Sequence, residues 1–145
     1  MPKKKAIRGN KGRSRPAVNF NHALIYVKAL EPALHFYRDL LGFKEIEQIP
    51  GEYARLQSAN SDSTLALHFT KSRRLLASGG VWLYLEVGQL TQLCRDLQAA
   101  GIRFSQEPEL MPWGWWQAFL QDPDGHDLCL YTAGSKRLQA TKPPR

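Results

Sequence analysis

HALIYVKALEPALHFYRDLLGF, residues 22–43, has a counterpart in WLYLEVGQLTQLCRDLQAAGIRF, residues 82–104. Each opens on an alternating run. Ala23, Ile25 and Val27 alternate with His22, Leu24 and Tyr26; Leu83, Leu85 and Val87 alternate with Trp82, Tyr84 and Glu86. A period of two gives a strand with two distinct faces. The period then changes. Leu34, Tyr37, Leu40 and Leu41 share one face at helical spacing, as do Leu90, Leu93, Cys94 and Leu97. Pro32 suits a first helical turn. Gly42 and Gly101 stand where a helix commonly ends in a left-handed residue. Trp82 follows His22 by 60 positions, and Gly101 follows Gly42 by 59.

Three strand-like pieces complete each unit. FKEIEQ, EYARLQS and STLALHFT follow the first helix; IRFSQ, WWQAFLQ and HDLCLYT follow the second. The expected fold is therefore α+β, with two β-α-β-β-β modules at residues 19–70 and 80–133. One face of each mixed sheet packs on its helix. The other faces are expected to curl around a shared cleft. TKSRRLLASGG, residues 70–80, is the link and reads as a solvated loop. DPDG, residues 122–125, reads as a turn opening the last strand, with Gly125 supplying a positive φ.

The net charge of +7 belongs to the ends of the chain. Residues 1–16 hold seven basic side chains and residues 135–145 hold four, with no acid in either, so the body carries 9 basic and 13 acidic groups. Segments so poor in apolar residues do not offset the entropy of ordering, and 1–18 and 134–145 are expected to be disordered tails. A basic run meets nucleic acid or anionic lipid through counterion release; a solvated extension is the simpler reading. No apolar run reaches the roughly 18 residues of a membrane span. The N-terminus lacks the apolar stretch of a secretory signal. Two cysteines make no disulfide framework, so a cytoplasmic setting is expected.

The paired modules, with HALIYV, the HFYRDLLGF helix end, YLEV, the LQAAGIRF exit and EPELMPWGWWQAFLQDPDGHDLCLY, resemble the vicinal oxygen chelate superfamily. That superfamily includes glyoxalase I, extradiol dioxygenases, and the bleomycin and fosfomycin resistance proteins. The resemblance implies a cleft in which its metalloenzymes hold one divalent metal, with ligands from the first and last strand of each module. Carried over, the four positions are His22, Ala66, Trp82 and Cys129. Ala66 and Trp82 offer no ligand atom, and one His with one Cys is too few for a catalytic centre. His68, two residues past Ala66 and about 7 Å further along the strand, would be needed for a displaced His22–His68–Cys129 site.

The remaining candidates are aromatic. Tyr26, Trp82, Tyr84, Trp113, Trp115 and Tyr131 are projected toward the cleft with Glu86, and adjacent Trp115 and Trp116 must point opposite ways. An aromatic wall in place of metal ligands fits stacking on a flat or cationic organic molecule. The ligand-binding set is thus His22, Tyr26, His68, Trp82, Tyr84, Glu86, Trp113, Trp115, Cys129 and Tyr131. The expected function is metal-independent sequestration of an aromatic or cationic compound, without covalent chemistry, as in bleomycin resistance. The alternative is a glyoxalase-like lyase or dioxygenase using zinc, manganese or iron at a rearranged site including His22. The resemblance also implies a homodimer, since many members build each cleft from two chains.

Overall fold

The structure is a computed structural model that describes residue 16, residues 20–76 and residues 79–134. The tails expected at 1–18 and 134–145 lie outside the described residues, save for positions 16 and 134. The first module runs β1 (His22–Val27), α1 (Leu30–Leu34, continuing as a π-helix through His35–Leu40), β2 (Lys44–Ile49), β3 (Tyr53–Gln57) and β4 (Thr64–Phe69). A short helical turn, α2 (Arg73–Leu76), replaces the loop expected for the link. The second module runs β5 (Trp82–Glu86), α3 (Leu90–Ala99), β6 (Phe104–Leu110), β7 (Trp116–Gln121) and β8 (Asp127–Thr132).

Each module forms one four-stranded sheet, in the order β1-β4-β3-β2 and β5-β8-β7-β6. The first and last strand of each module pair in parallel, and the other pairs are antiparallel. The α+β fold of two β-α-β-β-β modules is as the repeat predicts. The predicted faces also hold. Ile25, Val27, Ala54, Leu56, Leu65 and Leu67 of the first sheet lie in one core with Ala118, Leu120, Leu128 and Leu130 of the second, together with both helices. Burying a leucine or valine side chain in such a core contributes about 1.5–3 kcal/mol. Because both sheets turn their apolar faces to this common core, each leaves its other face open.

The two helices differ in one respect. Leu41 N–H donates to Phe36 C=O at 3.0 Å, five residues back, whereas α3 is an ordinary α-helix. Tyr37 lies 60 residues before Leu97, but Gly42 lies 59 before Gly101, so the surplus residue falls between Tyr37 and Gly42. A π turn absorbs one extra residue without breaking the helix. It also widens the buried face: Phe36 and Tyr37 are both buried, and Leu40 and Leu41 are only partly so.

The DPDG turn is more than a turn. Gly125 has φ +89° and its N–H bonds Asp122 C=O at 3.0 Å, as a turn requires. Yet Asp122 is buried and reaches the first module. Its Oδ2 accepts from Tyr37 OH at 2.6 Å and from His126 Nδ1 at 2.7 Å, and its Oδ1 accepts the N–H groups of Asp124 and His126 at 2.9 Å each. Lys28 N–H donates to Asp124 Oδ1 at 2.8 Å. Burial alone would raise the Asp122 pKa, but the bonds from His126 and Tyr37 outweigh it and hold the carboxyl below its usual range. The same bond to Asp122 raises the pKa of His126 against the opposing effect of burial. The turn thus latches the two modules together.

Candidate functional site

The open face of the second sheet follows from strand register. Trp82, Tyr84 and Glu86 on β5 sit beside Asp127, Cys129 and Tyr131 on β8, which sit beside Gln121, Phe119 and Gln117 on β7. Trp82 meets Phe119 edge-on at 5.3 Å, Tyr84 meets Tyr131 at 5.9 Å, and Trp115 stacks on Tyr131 at 4.6 Å and 11°. Each such pair contributes about 0.5–1.5 kcal/mol beyond area burial, which stiffens the array. Trp82 is 48% exposed and Tyr84 53%, so the array is open to a partner molecule. Trp115 and Trp116 do point opposite ways: Trp116 shares the register face of Ala118 and Leu120. Trp113 is exposed in the turn closed by Met111 N–H to Trp115 C=O, and has no ring contact among the described residues.

Gln117 escaped sequence reasoning. It is buried on this face beside Tyr131, and its Oε1 has no hydrogen-bond partner among the described residues. A buried acceptor left unpaired costs about 1–3 kcal/mol, which a ligand N–H or O–H would recover. Nothing in the sequence sets this glutamine apart from others; only its neighbours do.

The first sheet's open face is polar. His22, Leu24 and Tyr26 on β1 lie beside Thr64, Ala66 and His68 on β4, then Gln57, Arg55 and Tyr53 on β3. His68 packs edge-on against Tyr26 at 5.9 Å and Tyr53 at 6.1 Å. Its Nδ1 donates to Phe69 C=O at 2.8 Å. His22 Nδ1 donates to Asn21 Oδ1 at 2.7 Å. Arg55, also missed in the sequence, donates from Nε to Thr64 Oγ1 (3.1 Å), from Nη1 to Tyr53 OH (3.2 Å) and from Nη2 to Asn21 Oδ1 (2.7 Å). The missed signal was its place in the alternation of YARLQ, opposite the buried Ala54 and Leu56.

The residues needed for a displaced metal centre do not come together. His22 pairs in register with Thr64 and His68 with Tyr26, four positions apart, which separates the two rings' strand positions by about 13 Å. Cys129 is on the other sheet, fully buried, with its thiol donating weakly to Leu130 C=O. Burial pushes that thiol up to about 12, far from the thiolate a metal takes. Among the described residues no group of three or more His, Cys, Asp or Glu side chains is placed to hold an ion. This chain's side chains therefore do not fit a divalent centre of the His22–His68–Cys129 kind.

A hollow of about 710 Å³ lies where Phe36 of the first module meets Arg103, Asp122 and Pro123 of the second, and Gln121 and Asp127, at the end of the second sheet's open face, border it. No helix among the described residues is long and apolar enough to cross a membrane.

Comparison with solved structures fits this architecture. An antibiotic-binding protein, TnmS3 of Streptomyces sp. CB03234, superposes with a TM-score of 0.68 at 25% identity, covering 81% of this chain and 98% of its own. A superfamily member from Sphaerobacter thermophilus DSM 20745 gives 0.66 at 24%, covering 79% of this chain and 98% of its own. A lactoylglutathione lyase from Agrobacterium tumefaciens gives 0.65 at 17%, covering 81% and 96%, which is a likeness of fold. No curated protein matches the chain in sequence. The sequence model of one family matches residues 19–130, and the chain belongs to the Glyoxalase/Bleomycin resistance protein/Dioxygenase superfamily.

Proposed function

We propose that this protein binds a small aromatic or cationic organic compound, without a metal and without covalent chemistry. The observation that carries the reading is the open array of Trp82, Phe119, Tyr84, Tyr131 and Trp115. It occupies the face where the resemblance places a metal, with Trp82 itself at one ligand position. Glu86 and the unpaired Gln117 Oε1 lie on the same face and supply acceptors for a ligand's ammonium or N–H. The likeness to an antibiotic-binding protein supports the same reading. Ala66 and the fully buried Cys129 at two of the remaining ligand positions, with no group of three His, Cys, Asp or Glu side chains placed to hold an ion among the described residues, argue against the lyase and dioxygenase alternative.

The working unit in this reading is a homodimer. Among the described residues Trp82 and Tyr84 are about half exposed, and a ligand pocket normally buries most of its occupant. A second copy would supply the missing wall.

Tryptophan fluorescence tests the reading. A panel of cationic aromatic antibiotics and dyes should include a compound that quenches saturably. Trp82→Ala should weaken it by about 2 kcal/mol, roughly 30-fold in Kd, while circular dichroism stays unchanged. Metal content should be well below one equivalent per chain. A full equivalent of zinc, manganese or iron that disappears in His22→Ala would reverse the conclusion.

A further inference from the structure

We propose that the open face of the first sheet carries an oxyanion-binding subsite, centred on Arg55, that receives a carboxylate or phosphate group. The inference deepens the proposed function, since it adds an anionic group to the ligand class, and it rests on reading the open faces as ligand surfaces.

The argument begins with the guanidinium. Arg55 is half-buried, and its three side-chain acceptors are a hydroxyl, a phenol and an amide, all neutral. A guanidinium has five N–H groups. Three are used among the described residues, one on each nitrogen, and oxygens of a planar or tetrahedral anion take the kind of donor that each terminal nitrogen still carries. None of the ion pairs among the described residues involves Arg55. Glu47 is its register neighbour on β2, but the two do not approach within ion-pair distance. Among the described strand residues, Lys44 is the only other Lys or Arg on the face by register.

The side chain is held in place before any ligand binds. Asn21 Oδ1 accepts from both Arg55 Nη2 and His22 Nδ1, and Thr64 OH donates to Asn21 C=O at 3.4 Å. These bonds fix one rotamer of a side chain that otherwise loses considerable entropy on ordering. They also orient the histidine. With Nδ1 donating, His22 presents Nε2 on the far side of its ring, and His68, whose Nδ1 donates to Phe69 C=O, does likewise. Ala66, the register neighbour of Arg55, is fully buried and leaves room for the guanidinium above it. A hollow of about 250 Å³ borders the same Asn21 and Thr64, with Phe20, Asp62 and Ser63 as its other walls. All three acceptors that hold this arginine are neutral, and neither Glu47 nor Asp62, the carboxylates nearest in register and on the wall of the hollow, forms an ion pair with it among the described residues.

The test uses inorganic phosphate and benzoate on the full chain, followed by NMR of the arginine Nε–H and histidine ring signals. The Arg55 signal is assigned by its loss in Arg55→Lys. Phosphate or benzoate should shift the Arg55 and His22 signals saturably, and sodium chloride at equal ionic strength should not. Arg55→Gln should abolish the His22 response. Arg55→Lys, which keeps charge but not the fork, should weaken binding about threefold or more. A dye whose quenching is weakened by Trp82→Ala, with no phosphate or benzoate shift, refutes this subsite alone, and the reverse outcome refutes the aromatic reading alone, so the two failures are separable. A shift equal in chloride, or one that persists in Arg55→Gln, overturns the subsite.

Discussion

Tyr37→Phe removes one oxygen atom and tests whether the DPDG turn latches the modules. The ring stays, with its edge contacts to Phe36 at 5.0 Å and Phe43 at 6.0 Å. What goes is the 2.6 Å bond to a buried carboxylate. A hydrogen bond to a charged group is worth about 1.5–3 kcal/mol, and leaving a buried acceptor short costs a similar amount. Asp122 keeps its other three donors, from Asp124 N–H, His126 N–H and His126 Nδ1, so the lower half of that range applies. The expected loss is about 2 kcal/mol, or roughly 8 °C in Tm for a domain of this size. Urea unfolding should show a lower midpoint at unchanged m, since the folded compactness does not alter. A double-mutant cycle with Asp122→Ala should return a coupling of at least about 1 kcal/mol. A loss below about 0.5 kcal/mol, the range of neutral surface changes, would mean that the bond does not join the modules energetically.

Two further outcomes follow from the same chemistry. Asp122 is held below its ordinary pKa, so its contribution is present above the ordinary carboxylate range, near pH 4, and is lost as pH falls through its lowered value. His126 is raised, so its contribution is full below about pH 6.5 and is lost as pH rises through its elevated value. Urea midpoints between pH 3 and 9 should therefore fall at both ends; His126→Gln should remove the alkaline decline, and a decline of equal size in the variant would contradict the assignment. The thiols of Cys94 and Cys129 are pushed up by burial to about 11 and about 12. Ellman's reagent at pH 8 should label neither in the native chain and both in urea; fast native labelling of Cys129 would place it on the surface.

Much of the fold was legible because periodicity is local. The alternation in HALIYV and WLYLEV names the inward face of each first strand, and Ile25 and Val27 are buried as it predicts. The projected positions of Trp82, Tyr84, Trp115 and Tyr131 on one face follow from the same parity. The change of offset from 60 to 59 already contained the π turn, but sequence spacing alone does not say how a helix accommodates one surplus residue.

The tertiary structure decided matters that depend on residues far apart in the chain. Tyr37 and Asp122 are 85 positions apart, and no local pattern marks them as partners. Arg55 looked like an ordinary strand arginine until Asn21, 34 positions away, was found holding it beside His22. The register that separates His22 from His68 turns a plausible metal set into two independent rings. DPDGHDLCLY shows both sides of the division. Its turn and strand are fixed by short-range sterics and alternation, whereas the latch at Asp122 and the buried thiol at Cys129 exist only because two modules pack on one core.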